Sequence, residues 1–148
     1  MRLVIGSDHA GWMLKGAVVD HVRALGHEVI DVGSFDDQPV DFPDIAREVA
    51  RKVTSGEADR GLMVCGTGVG ASIAANKMKG IRAAVCHDIH SAHQCVEHDD
   101  VNVMCIGAQI VGPWLAKDLI ASYLQAEFST DADFRRRVEK LHAMDAEG

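Results

Sequence analysis

The sequence predicts a three-layer α/β fold: a five-stranded parallel sheet, Rossmann-like with the flavodoxin-like order 2-1-3-4-5, covered by helices on both faces. Three observations carry this expectation. Short apolar runs alternate with amphipathic stretches along the whole chain. The runs are apolar at nearly every position, as strands buried on both faces are. The third run opens directly into a glycine-rich turn, Cys65-Gly66-Thr67-Gly68-Val69-Gly70, followed by the small-residue segment Ala71-Ser72-Ile73-Ala74-Ala75-Asn76.

Taken in order, Leu3-Val4-Ile5 is the first strand. A helix follows from about Gly11 to Leu25, with Leu14, Val18, Val22 and Leu25 at helical spacing and Gly26 as its stop. Val29 to Val32 is the second strand, and Ser34 to Val40 a polar loop leading to a helix over Phe42 to Val53. Gly61-Leu62-Met63-Val64 is the central strand. Ala83-Ala84-Val85-Cys86 is the fourth, with a helix around Ser91 to His98; Val103-Met104-Cys105-Ile106 is the fifth, with a helix from Pro113 to Gln125. A last helix covers about 133–145, its Phe134, Val138 and Leu141 facing either the chain's own core or a neighbouring subunit. At 148 residues the chain reads as one domain, 1–148, large enough for a core that needs no staple.

A net charge of −7, with no basic cluster longer than Arg135-Arg136-Arg137, argues against a nucleic-acid partner. No apolar stretch approaches membrane-spanning length, so a cytoplasmic protein with no membrane association is expected. Cys65, Cys86, Cys95 and Cys105 form no Cys-x-x-Cys pair and are expected to stay reduced. Cys86 and Cys105 fall in strand-like runs and read as core; Cys95 offers no functional cue. Only Cys65 has the setting of a reactive thiol.

That setting is chemical. Glycines at 66, 68 and 70 let the backbone turn sharply beside a ligand, and the amides at a helix start favour an anion or a developing oxyanion. A thiol on the strand end beside such a start gives up its proton more readily than a free one. Other glycine-loop chemistries fit less well. A phosphate loop needs Gly-Lys-Ser/Thr, a dinucleotide fingerprint needs its third glycine three residues after the second, and neither is present, although Asp88 stands where a ribose-binding acid would. A tight turn around a buried, inert cysteine remains the structural alternative.

The expected strand order places the loop Gly6-Ser7-Asp8-His9-Ala10-Gly11 beside the Cys65 loop, outside the carboxyl ends of strands one and three. A carboxylate and an imidazole beside a thiolate could move protons on and off hydroxyl groups. Asp8 could equally cap the first helix, and the two uses are compatible. Among His87, His90, His93 and His98 a metal site lacks accompanying carboxylates or thiolates, and no metal or other cofactor is expected; a solvated helix face is the simpler reading. His98 is different. It ends a helix that returns from the carboxyl side of strand four, so it lies at the far end of its own sheet, and any active site it serves belongs to a second subunit.

Gly6-Ser7-Asp8-His9-Ala10-Gly11, Cys65-Gly66-Thr67-Gly68-Val69-Gly70, Ile73-Ala74-Ala75-Asn76-Lys77, Gly80-Ile81-Arg82-Ala83 and Glu97-His98 together resemble the family of type B ribose-5-phosphate isomerases and galactose-6-phosphate isomerases. The similarity runs in order over nearly the whole chain. It implies a metal-free aldose–ketose isomerase of sugar phosphates, dimeric or tetrameric, with its site between subunits. By this resemblance, Asp8 and the partner's His98 open the sugar ring and the Cys65 thiolate removes the proton beside the carbonyl. Thr67 and the amides of Gly66, Gly68, Val69 and Gly70 then hold the enediolate. His9, Asp99, Gln109, Arg137 and Arg136 complete the expected substrate contacts.

The chain also departs from that pattern. Relatives carry arginine, a phosphate ligand, where Gln109 stands and again where Asp133 stands; Phe42 replaces a common tyrosine and Asp99 a common asparagine. Some relatives use a glutamate base at the position of Gly70 or Ala71, which its absence here assigns to Cys65. Ribose 5-phosphate is the default substrate, with a tetrose phosphate, a hexose 6-phosphate or an unphosphorylated sugar as competitors. A non-catalytic sugar-phosphate-binding subunit and a nucleotide-binding module are the readings from other classes.

Overall fold

The computed structural model describes residues 1–148. The elements alternate as β1 (Arg2–Ser7), α1 (Trp12–Ala24), β2 (Glu28–Asp31), α2 (Phe42–Thr54), β3 (Arg60–Cys65), α3 (Val69–Asn76), β4 (Ala83–Val85), α4 (Ile89–Asp99), β5 (Val103–Gly107), α5 (Pro113–Gln125) and α6 (Ala132–Glu147). All five strands are parallel. No helix is long and apolar enough to cross a membrane.

The sheet runs β2-β1-β3-β5-β4, so the last two strands are exchanged relative to the expected order. Burial supplies the reason. Every residue of Val103–Gly107 is buried, whereas Ala83–Val85 is three residues long and only half-buried. A long apolar strand suits a place covered on both faces, and a short one suits an edge, where it exposes little unpaired backbone. The chain therefore steps past one position to form β4 and returns to fill the gap with β5.

Right-handed crossovers then fix the layers. Successive strand residues point to opposite faces. Leu3, Ile5, Leu62, Val64, Met104 and Ile106 pack under α1, α4 and α5, while Val4, Met63, Cys65, Val103 and Cys105 pack under α2 and α3. The Cys65 side chain thus emerges on the α2–α3 face. At the amino end of the sheet the Arg60 guanidinium donates to the Tyr123 and Ala126 carbonyls at 2.7 and 2.8 Å, closing the end of α5.

The last helix lies on its own chain. Asp131 caps it by accepting from the Asp133 amide at 2.8 Å, Phe134 stacks on His98 of α4, Val138 is buried, and the Asp145 carboxylate accepts from the Gly80 amide at 2.9 Å.

Candidate active site

The site begins where β1 and β3 end side by side, Ser7 in register with Val64. The chain leaving β1 stays pressed against β3: the Asp8 amide donates to the Val64 carbonyl at 3.3 Å, and a Cβ on Gly11 would stand 2.0 Å from that same oxygen. Only glycine permits so close an approach. Asp8 is 8% exposed, and its Oδ1 accepts from the Gly11 amide at 2.9 Å. That corrects the capping expectation. Gly11, not Asp8, is the N-cap of α1, and Asp8 secures the turn before it.

Cys65 ends β3 and is 5% exposed. Gly68, at φ +83°, turns the loop so that its amide donates to Cys65 Sγ at 3.0 Å. Such a bond stabilises negative charge on sulfur, as does the start of α3 one residue later. The Val69 amide donates to Thr67 Oγ1 at 3.3 Å, while Gly70 and Ala71 present amides with no intrahelical acceptor. The other thiols are differently placed. Burial pushes the Cys105 thiol up; on the far face of the sheet Cys95 donates to the Ala92 carbonyl at 3.3 Å, and the neighbouring Cys86 thiol together with burial holds the Cys95 thiol up.

The exchanged strand order brings β5 to the Cys65 loop. Cys65 pairs with Gly107, the Ala108 amide donates to the Cys65 carbonyl at 2.8 Å, and the Gln109 amide donates to the Gly66 carbonyl at 3.0 Å. The Gln109 carboxamide lies against Gly66, 3.3–3.4 Å from where a Cβ would be. His9 is exposed, and its Nδ1 accepts from the Val40 amide at 3.2 Å, joining it to the loop before α2. The Phe42 ring covers Gly70, 2.8 Å from the place of a Cβ, and Ala71 is fully buried. Neither position has room for a carboxylate base.

The structure thus brings together Asp8, His9, Cys65, Gly66, Thr67, Gly68, Val69, Gly70 and Gln109. It does not bring His98, Asp99, Arg136 or Arg137 to them within one chain. α4 starts at the carboxyl end of the sheet and runs back for 11 residues, about 16 Å. At its far end the His98 ring stacks on Phe134 with centroids 4.0 Å apart, and the Arg137 guanidinium stands 5.8 Å from the same phenyl ring. Arg136 is paired with Asp133 at 2.7 Å, and Arg135 donates to the Ser129 carbonyl while lying over Phe128. The polar residues expected from the sequence therefore fall into two groups at opposite ends of the sheet.

Two polar residues near the site escaped the sequence reading. His87, assigned there to a solvated group, accepts through Nε2 from the Gly107 amide at 2.9 Å; burial lowers its pKa, opposed by the Asp88 carboxylate. Lys15 is 5% exposed, paired with Asp31 at 2.8 Å, bonded to the Ser34 carbonyl and set 4.6 Å from the Phe35 ring. It anchors the loop that reaches His9. Its spacing to Val18, Val19 and Val22, all on the buried stripe of α1, was the available signal.

Residues 3–141 match the ribose/galactose isomerase family. The chain is 42% identical over 144 residues to the ribose-5-phosphate isomerase B of Escherichia coli strain K12, a match covering 97% of this chain and 96% of that one. It is 39% identical over 147 residues to the D-erythrulose-4-phosphate isomerase 2 of Mycolicibacterium smegmatis, covering 97% and 96%. The solved structure of a Clostridium thermocellum ribose-5-phosphate isomerase B superposes with a TM-score of 0.96 at 44% identity, covering 99% of each chain. Fold, length and sequence agree along the whole of this match, and the chain belongs to the ribose/galactose isomerase family.

Proposed function

We propose that this chain interconverts an aldose phosphate and its ketose, with ribose 5-phosphate as the default substrate, through a Cys65 thiolate and an enediolate. The observation that carries the reading is the Gly68 amide held at 3.0 Å from Cys65 Sγ, in a loop that Asp8 flanks. Asp8 and the partner's His98 shift the protons that open the ring. The thiolate takes the proton from the carbon beside the carbonyl, and the electron pair left behind moves onto the carbonyl oxygen. Thr67 and the loop amides stabilise that oxygen, each such donor contributing about 3–4 kcal/mol in other systems. The hydroxyl proton of the deprotonated carbon passes to the former carbonyl oxygen, and the thiol returns its own proton to the former carbonyl carbon. The carbonyl has moved by one carbon with no net oxidation.

A second copy of the chain is part of the proposal, because His98, Asp99, Arg136 and Arg137 cannot meet Cys65 within one protomer. The surface next to the loop favours such a contact: Val69 and Ile73, one turn apart at the start of α3, are 52% and 57% exposed. An apolar rim next to an incomplete polar site suits a subunit interface.

A tetrose phosphate is the second reading for the substrate. Arg136 is already neutralised by Asp133, and Gln109 offers an amide instead of a guanidinium, so the phosphate meets less positive charge than two further arginines would provide. The test is conversion of ribose 5-phosphate and of a tetrose 4-phosphate by the unmodified protein and by Cys65→Ala in metal-free buffer. Turnover lost by roughly a hundredfold or more in the variant supports the thiolate. Turnover retained by the variant refutes it, and inactivity of the unmodified protein on both compounds refutes both substrate readings.

A further inference from the structure

We infer that His87 is a positioning residue of the isomerase site, holding the end of β5 beneath the Cys65 loop through the Gly107 amide. The inference rests on the reading of Cys65 above. Pairing between β4 and β5 stops at Val85 and Cys105, after which the Cys86 amide still donates to the Cys105 carbonyl at 3.2 Å. The next ladder bond would take the Gly107 amide to a β4 carbonyl, but β4 has already turned away. The imidazole of His87 replaces that carbonyl at 2.9 Å.

Gly107 is the residue on which the loop rests. A Cβ there would lie 2.5 Å from the Gly66 carbonyl oxygen and 2.5 Å from Thr67 Cα. Three successive amides tie this turn down: Gly107 to His87, Ala108 to Cys65 and Gln109 to Gly66. Only the first ends on a side chain, and only that acceptor can be removed by a proton.

Acceptance through Nε2 requires the neutral ring with its proton on Nδ1. A second proton leaves two donors facing each other and frees the Gly107 amide. The titratable groups on the neighbouring elements are Asp88 and His90 at the start of α4, Cys86 before it on the chain, Cys105 on β5 and Cys65 at the end of β3; of these, Asp88 is the one whose charge acts on the ring, and its carboxylate is engaged by the Ser91 amide at 2.7 Å. Burial nevertheless dominates and lowers the His87 pKa below its ordinary value, so the contact is made at neutral pH and is lost only as the pH falls below the ordinary histidine range.

The experiment follows the Gly107 amide by 15N–1H NMR, and kcat and KM separately by isomerase assay, from pH 8 down to the acid limit of the folded protein, in the unmodified protein, His87→Gln and His87→Leu. Glutamine keeps an acceptor without a titration; leucine removes it. The substrate phosphate titrates near pH 6 in all three proteins alike, so only differences between them count. The inference expects a Gly107 amide that titrates in the unmodified protein and not in His87→Gln. It expects His87→Leu to lose about tenfold in kcat at neutral pH, as an unsatisfied buried donor implies. It expects His87→Gln to recover most of that loss and to retain more of its activity on the acid limb than the unmodified protein. A Gly107 amide indifferent to pH, an acid limb unchanged in His87→Gln, or a His87→Leu protein with unmodified kcat would each overturn it. If His87→Leu does not fold, the amide titration and the glutamine variant still decide. An unmodified protein inactive on every sugar phosphate would instead sink the isomerase reading, and the positioning role with it.

Discussion

If each site joins the Cys65 loop of one protomer to His98 of another, two inactive variants should restore activity when their subunits are mixed. Cys65→Ala leaves an intact His98, and His98→Ala leaves an intact Cys65. The separation demands the mixture. Gly61, where the β3 end contacts the carbonyl of Asn102 just after α4, lies four residues from Cys65, about 13 Å along the strand. No side-chain rotation spans that distance. After random exchange of equal amounts, a site is intact when its loop comes from the His98→Ala protomer and its histidine from the Cys65→Ala protomer. Each choice has a probability of one half, so about a quarter of sites are restored, whether the symmetric assembly is a dimer or a tetramer. The assay is ketose phosphate formation per protomer before and after co-refolding, with native mass spectrometry to count hybrids. Recovery to about a quarter of the unmodified rate confirms a shared site. Hybrids formed in statistical amounts yet as inactive as their parents would refute it, and activity in His98→Ala alone would remove the histidine from the reaction.

Three further substitutions test how the loop is supported. Gly107→Ala puts a methyl 2.5 Å from backbone atoms of Gly66 and Thr67, so the loop must move; about 1–3 kcal/mol of stability and up to about a hundredfold in kcat should be lost, and a folded variant with full kcat would show that loop position does not matter. Lys15→Met strands the Asp31 carboxylate and the Ser34 carbonyl, costing about 3 kcal/mol, or roughly 6–12 °C in thermal unfolding; an unchanged melting temperature contradicts the anchoring role. Gln109→Arg restores a guanidinium beside Gly66 and should lower KM for ribose 5-phosphate about tenfold, the scale of one charge-assisted hydrogen bond. A KM that does not move places residue 109 outside the phosphate contacts.

The parts of this architecture written in local pattern were legible from the sequence. The stripe of Leu14, Val18 and Val22, the Pro113–Gln125 helix and the Cys65 loop each depend on spacing within a few residues. Strand order is not local. It depends on which apolar strand finds cover on both faces, and the comparison of Val103–Gly107 with Ala83–Val85 becomes decisive only when the two compete for one position. His87 was missed for a related reason. A histidine after a strand and before the Asp88 cap looks solvated until the neighbouring strand brings a buried amide to it.

The exchange of β4 and β5 has chemical consequences as well as topological ones. Adjacent strands are about 4.8 Å apart, so in the order 2-1-3-4-5 the end of β4 would adjoin Cys65 and the turn at Gln109 would stand roughly 10 Å away. Residue 109 could not touch Gly66, and Gly107 could not carry Thr67. In the order found, the three amides after Ile106 all point into the support of the loop, and the only one without a backbone acceptor takes its partner from the displaced strand. The edge position of β4 is thus what frees His87 to accept from Gly107. A substitution that lengthened β4 by one paired residue would be expected to replace that imidazole with a carbonyl and make the support of the Cys65 loop independent of pH.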